Sequence, residues 1–285
     1  DFNNDGFQEI VAGTTGSLIR IYTFNYITET FILYWECPYS FFVQNMNASD
    51  VNNDGYLDLF LCNDLGINFL FLNDKADGFI DSDMIDFNTV PTSDNSGNYG
   101  SVIVDFDLDG DRDIYIAKCR AGVQDPNDPR RINQLFEQQS DGTYMEVAAN
   151  YNLAIGAQTW VADFADLDLD GDLDLVVANH GEPIQVLRND GGSYTEIFEV
   201  GELDLDLFTW QLSFHDFDND QYPDILISAD DTYYFHNNGD FTFSDGSGSF
   251  GSSPKAYSHS VGDYNNDGFL DTLTAYGTMP SNPLL

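Results

Sequence analysis

Basic residues are scarce in this sequence: nine Lys and Arg stand against 49 Asp and Glu, a formal net charge of −40 over 285 residues. No basic patch exists to meet phosphate, which excludes nucleic acid and anionic membrane surfaces as expected partners. The only adjacent basic pair, Arg130-Arg131, reads as part of a solvated loop. Cysteine is scarce as well. Cys37, Cys62 and Cys119 are an odd number, too few for a disulfide scaffold, and spacing does not say which two would form a single bridge. No apolar run approaches a membrane span, so no direct membrane insertion is expected of this stretch. No signal peptide opens it either. Asp1 already lies inside a motif described below, so the chain reads as a piece of a longer one. Sustained helical periodicity is missing, which argues against helical and α/β folds. Catalytic signatures are missing too: there is no HExxH, no GxSxG and no phosphate-binding glycine loop. The four histidines, His180, His215, His236 and His259, sit at unrelated places in different repeats, so no catalytic residue is nominated.

Apolar residues are not in short supply. The chain is 42% hydrophobic and 15% aromatic, ample for a large core, so disorder is not expected despite the charge. Few folds stay compact under such self-repulsion without bound cations. The acids are concentrated. The pattern D-x-[DN]-x-D-x-x-x-[DE] occurs six times, as DFNNDGFQE, DVNNDGYLD, DFDLDGDRD, DLDLDGDLD, DFDNDQYPD and DYNNDGFLD, starting at residues 1, 50, 105, 166, 216 and 263. A repeat of about 50 residues, with short apolar segments between motifs, predicts one four-stranded blade per repeat.

The flanks agree. Each motif is followed by a short apolar run, IVAG, LFLC, IYIA, LVVA, ILIS or TLTA, as expected of a strand covered on both faces. The thirteenth position from each first Asp is small in every repeat: Gly13, Cys62, Ala117, Ala178, Ser228 and Ala275. Cys62 therefore reads as a packed small residue rather than a reactive thiol. Farther on, FLNDKADGFI, FEQQSDGTYMEV, LRNDGGSYTEI and FHNNGDFTF carry hairpin signals. Six residues ahead of each first Asp stand Gln44, Tyr99, Trp160, Trp210 and Tyr257, an aromatic stack at the blade entrances. Each unit is thus strand A, acidic loop, strands B and C, hairpin, strand D. The fold class is all-β, a propeller of four-stranded antiparallel blades in one domain over 1–285. About five and a half blades are present, lacking strand A at the front and strands C and D at the back. A seven-bladed ring is expected, with six blades as the alternative.

In D-x-D-x-D-G, carboxylates at positions 1, 3 and 5 converge when the backbone curls about a centre, and Gly at position 6 permits the turn. All-oxygen donors suit a hard cation, and calcium tolerates irregular geometry better than magnesium. One such stretch alone reads equally well as a solvated turn; six in register, each between strand signals, do not. There is no Glu at position 12 and no flanking helix, so these are not EF-hands.

With these motifs the chain resembles the FG-GAP/VCBS repeat family, the β-propeller repeats also found in integrin α-subunits, over essentially its whole length. The resemblance implies calcium bound between strands A and B by side chains at positions 1, 3, 5 and 9 and the carbonyl of position 7. Carried onto this sequence, the first loop supplies Asp1, Asn3, Asp5, Phe7 and Glu9, and the second Asp50, Asn52, Asp54, Tyr56 and Asp58. The third supplies Asp105, Asp107, Asp109, Asp111 and Asp113, and the fourth Asp166, Asp168, Asp170, Asp172 and Asp174. The fifth supplies Asp216, Asp218, Asp220, Tyr222 and Asp224, and the sixth Asp263, Asn265, Asp267, Phe269 and Asp271. Gln221 replaces the turn glycine in the fifth loop. Up to six calcium ions are implied, which would bring the net charge from −40 to −28.

The resemblance also implies adhesion, recognition or a structural role in a surface assembly rather than catalysis, in an extracellular setting where calcium is plentiful. The alternative is a carbohydrate-active enzyme or lectin on the same scaffold. A protein or glycan partner, or a neighbouring subunit, is expected on the rim opposite the acidic loops, because those loops have little freedom to vary. The longest spacing between motifs is extended there by residues 119 to 132. One glycosylation sequon, at Asn47, falls in an expected strand.

Overall fold

The computed structural model describes residues 1–13, 18–75, 78–87, 97–250 and 255–277. Ala76 and Asp77 of the FLNDKADGFI sequence, and residues 278–285, lie outside the described residues.

Strands follow the expected order. The first blade contributes β1 (Ile10–Ala12), β2 (Leu18–Asn25) and β3 (Thr30–Ser40). Four complete blades follow. They are β4 (Val43–Ser49), β5 (Asp58–Asn63), β6 (Phe69–Asn73) and β7 (Phe79–Asp81), then β8 (Asn98–Val104), β9 (Asp113–Lys118), β10 (Gln134–Gln138) and β11 (Tyr144–Glu146). Next come β12 (Thr159–Ala165), β13 (Asp174–Asn179), β14 (Gln185–Asn189) and β15 (Tyr194–Ile197), then β16 (Gln211–His215), β17 (Asp224–Ser228), β18 (Thr232–Asn237) and β19 (Phe243–Asp245). β20 (Ala256–Gly262) and β21 (Asp271–Tyr276) form the last pair. Every pairing in these sheets is antiparallel between sequence neighbours, and strand A of each blade lies beside strand A of the next.

Strand B begins on the last acid of each motif in all blades but the first, where it begins one residue later. In the four complete blades it is buried at every residue, because neighbouring blades cover both its faces. The end sheets lack that cover, and Leu273 of β21 is 65% exposed. Core clusters lie between blades: Leu167, Val176 and Val186 of the fourth pack with Leu212, Ile225 and Phe235 of the fifth. The entrance aromatics form a row across four blades: Tyr99 stacks on Trp160 with centroids 5.3 Å apart, Trp160 meets Trp210 edge to face at 4.6 Å, and Trp210 tilts against Tyr257 at 5.4 Å.

Three sequence expectations are settled here. All three cysteines are buried free thiols, and burial pushes the Cys62 thiol up to about 12. The Asn47 side-chain amide is committed to Asn45 Oδ1 and to the carbonyl and hydroxyl of Ser101 in the next blade, at 2.7, 3.0 and 2.6 Å. A glycan there would break that inter-blade contact. The two members of the basic pair differ: Arg130 stays in the loop, partly exposed and paired with Asp128, whereas Arg131 is 5% exposed, donates to the Val123 and Gln124 carbonyls and pairs with Glu182 of the next blade at 2.7 Å. The 119–132 segment is therefore anchored to the next blade through Arg131, while residues 124–127 between its ends are exposed.

Candidate metal centre

All six acidic loops close by the same bonds. The position 1 carboxylate accepts from the backbone N–H of position 6 in every loop, at 2.7 Å from Gly6, 2.7 Å from Gly55, 3.1 Å from Gly110, 3.0 Å from Gly171, 3.0 Å from Gln221 and 2.9 Å from Gly268. Position 3 accepts from the N–H of position 5, and position 5 from that of position 7. Each loop is thus wound around its own carboxylates. Position 6 has φ between +88° and +100° in the glycine loops and +84° at Gln221. An added Cβ meets nothing at any of the five glycines, so backbone conformation alone favours glycine.

Position 4 is left-handed too, which the sequence reading missed. Asn4, Asn53, Asn219 and Asn266 have φ of 55–63°, and the same geometry is imposed on Leu108 and Leu169 at 60° and 61°. Asn tolerates this region better than Leu.

The acid at position 9 does more than face the loop. It accepts from the N–H of position 2 in every loop, at 2.7 Å for Glu9, 3.0 Å for Asp58, 3.3 Å for Asp113, 2.9 Å for Asp174, 3.1 Å for Asp224 and 3.0 Å for Asp271. In the four complete blades its other oxygen accepts from the last residue of strand C, Asn73, Gln138, Asn189 or Asn237, at 2.8–2.9 Å. That residue then reaches sideways. The Asn73, Gln138 and Asn237 amides donate to the carbonyls of Phe2, Val51 and Leu167, each at position 2 of the preceding loop. The first, second and third loops are therefore tied to one another, and the fourth to the fifth, whereas the Asn189 amide stays in its own blade on Leu173 O. These amides stand at the head of the sequences read as hairpin signals, where Asn and Gln were credited only with turn formation.

The carboxylates converge as a cation site requires. Single oxygens of Asp1, Asp5 and Glu9 lie within 4.8 Å of one another, as do those of Asp105, Asp107 and Asp113, of Asp166, Asp168 and Asp174, and of Asp216, Asp218 and Asp220. Asp109 and Asp170 stand outside these trios. Among the described residues, the second and sixth loops bring no three acids this close, although the first, which also carries Asn at position 3, does. Burial raises Asp58 to about 6 and Asp113 and Asp174 to about 7, opposed by their backbone hydrogen bonds. Burial and then neighbouring carboxylates also raise Asp107 and Asp168. Asp105 Oδ1 is buried with no hydrogen-bond partner, an anionic oxygen left for a cation. The donor set fits calcium: oxygens only, several charges and an irregular cage.

Outside the loops, the acid Asp163 is half-buried on β12, accepts from the Phe164 N–H at 2.9 Å and is pushed up to about 6 by burial. His215 ends β16 and bonds the Ser213 hydroxyl at 3.0 Å. The same Ser213 hydroxyl also bonds His259 Nε2 at 2.7 Å, and the Ser228 hydroxyl bonds His259 Nδ1 at 2.8 Å. A cleft of about 440 Å³ opens on the opposite rim, between the 119–132 segment and the fourth blade, lined by Asn127, Ile155, Asn179, Glu182 and Glu196 among others.

A family model described as an FG-GAP-like repeat matches residues 50–116, 105–177, 166–227 and 216–274. Each match starts on the first Asp of a loop and ends beyond the next one, so the matches and the blades share one period. No curated protein sequence matches the chain. Among solved structures, the V. cholerae biofilm matrix protein Bap1 aligns at a TM-score of 0.53 and 14% identity, over 92% of this chain and 40% of that one. Saccharomyces cerevisiae Sqt1 aligns at 0.55 and 10%, over 94% and 78%. BBS1N, solved in complex with ARL6DN, aligns at 0.50 and 10%, over 93% and 72%. At these identities the likeness is one of fold.

Proposed function

The chain belongs to the FG-GAP-like repeat family, and from that premise we propose a calcium-stabilised extracellular propeller that serves adhesion, recognition or the building of a surface assembly, without catalysis. The observation that carries this reading is the convergence of carboxylates, from buried Asp113 and Asp174 to exposed Asp5 and Asp218, in one identical backbone clasp repeated along one rim. Calcium would be held by the acids and Asn residues at positions 1, 3, 5 and 9, and would supply the positive charge that a net −40 lacks. Loops of modest affinity stay filled where calcium is abundant, which favours an extracellular setting. A fold neighbour described as a biofilm matrix protein is in keeping with that setting. Among the described residues no helix is long and apolar enough to cross a membrane.

Partner recognition is assigned to the opposite rim. There the connections between strands B and C and between blades carry the cleft, the 119–132 segment and the aromatic arc, in which Phe208 is 45% exposed. The partner is a protein, a glycan or a neighbouring subunit. Calcium titration of chelator-stripped protein tests the core of this reading, with up to six ions bound per chain expected. Binding of no more than one ion, or a melting temperature indifferent to calcium, would refute it. Substitutions at Phe208 and Glu182 are then expected to weaken attachment without changing calcium stoichiometry.

A further inference from the structure

The fifth loop has a neighbour that the others lack. The residue just before the last one of strand C is Glu137 in the third blade, Arg188 in the fourth and His236 in the fifth. Each sits close enough to position 3 of its own loop to interact with it electrostatically. The second blade has Leu72 at this place, so the fold has no need of an imidazole there.

His236 Nδ1 lies 3.3 Å from Asp218 Oδ2 and 3.1 Å from Asp224 Oδ1, and the three atoms lie within 4.8 Å of one another. Two carboxylate oxygens converge on one ring nitrogen, which supplies at most a single proton. A hydrogen bond serves one of them; a cation serves both. Calcium takes oxygen ligands, whereas imidazole suits zinc and its neighbours. Bonds of about 2.0–2.1 Å to a tetrahedral ion put its ligand atoms roughly 3.3 Å apart, close to the separations at His236. Asp224 is 0% exposed and held by the N–H groups of Phe217 and Asn237 and the Tyr234 hydroxyl at 2.9–3.1 Å, which fixes the carboxylate in place. Asp216 and Asp220 converge with Asp218 in a separate trio beside it.

We propose that the fifth loop is a mixed nitrogen–oxygen site, built on Asp218, Asp224 and His236, for a zinc-class divalent cation rather than calcium. The assignment is independent of calcium in the other five loops, which offer oxygen donors alone.

Zinc chloride is titrated by calorimetry into the stripped full chain, with and without excess calcium chloride, and the cobalt(II) form is followed by visible absorption. One zinc per chain binds in the presence of calcium, and cobalt gives the intense d–d bands of a tetrahedral site. His236→Gln weakens zinc by about a hundredfold and removes the bands, while calcium uptake by the other loops is unchanged. His236→Leu, which copies the second blade, behaves alike and guards against a folding defect peculiar to one variant. Equal zinc affinity in wild type and both variants, displacement of zinc by equimolar calcium, or a site that takes no metal and holds His236 as imidazolium would overturn the proposal. Should calcium bind nowhere while zinc binds through His236, the calcium reading falls and this one stands.

Discussion

In the third blade the turn residue is Gly110 and the adjoining strand presents Glu137; in the fifth, Gln221 and His236 hold these places. The two loops nevertheless close alike, with the N–H of position 6 donating to Asp105 or Asp216 at 3.1 and 3.0 Å. Both also anchor their last acid to strand C at 2.8 and 2.9 Å. The aspartates therefore set the winding of the loop, and the strand next door sets what the loop presents to an ion. Glu137 adds negative charge beside Asp107 and sharpens a hard-cation site, whereas His236 adds nitrogen. One motif thus carries two chemistries.

The largest effect expected is that of stripping these two loops together with the other four. With free calcium ten to a hundred times its dissociation constant, each filled site contributes roughly 1.4–2.7 kcal/mol. Several sites together rival the whole stability of an ordinary domain, about 5–15 kcal/mol. Thermal melts with and without EDTA at low salt should differ by tens of degrees or by loss of the transition. Restoring calcium alone should recover most of the difference, and zinc the remainder that belongs to the fifth loop. Full recovery by calcium alone would erase the contrast between the loops.

A second comparison lies within the third loop. Asp113 is 1% exposed and accepts from Phe106 and Gln138, so Asp113→Ala strands two buried donors at about 1–3 kcal/mol each. Exposed Asp109 accepts only from Asp111, at 2.9 Å, and Asp109→Ala should cost no more than one site's share of calcium binding. Urea unfolding in EDTA separates them: Asp113→Ala stays strongly destabilised, and Asp109→Ala approaches wild type. Equal losses in EDTA would mean that position 9 acts as a ligand only.

Much of this was legible in the sequence, and the reason is periodicity. Six motifs in register located every acidic loop and every strand B, because burial on both faces leaves a run such as LVVA little alternative. The first and last blades were recognisable as partial from the same count. What escaped was whatever the repeat makes uniform without making it chemical. Asn73, Gln138, Asn189 and Asn237 look like turn residues, and only the folded register shows all four bonding position 9 and three of them, Asn73, Gln138 and Asn237, reaching the preceding blade. Position 4 escaped because Leu108 and Leu169 hide a left-handed site that four Asn residues mark elsewhere. His236 escaped because its distance from Asp218 is set by sheet pairing, which sequence spacing does not report. Arg131 looked like a solvated cation because its partner, Glu182, belongs to another blade.

Smaller effects follow from backbone strain. Leu108 is 54% exposed and sits at φ +60°, so Leu108→Asn loses little packing and relieves a conformation costing about 1 kcal/mol for a side chain that does not favour it. A gain of about 0.5–1 kcal/mol in chemical denaturation is expected, with Leu169→Asn behaving alike. Stability unchanged in both would show that the loops hold position 4 without strain.

Gln221→Gly is the smallest change and the one that bears most directly on the two loops. Gln221 has φ +84°, in the range where glycine costs nothing and other residues about 1 kcal/mol. The substitution also frees the unfolded chain, which takes back roughly 0.4–1 kcal/mol. The terms nearly cancel, so the melting temperature of the stripped protein should move by no more than a degree or two, upward if at all. The ion-loaded protein is where a difference should appear, since a loop rid of strain closes around its cation at less cost. Affinity at the fifth site should rise by up to about fivefold, the equivalent of 1 kcal/mol, while selectivity for zinc over calcium stays fixed because His236 is untouched. A shift of preference toward calcium in Gln221→Gly would mean that the turn residue, and not the neighbouring strand, decides which ion the fifth loop holds.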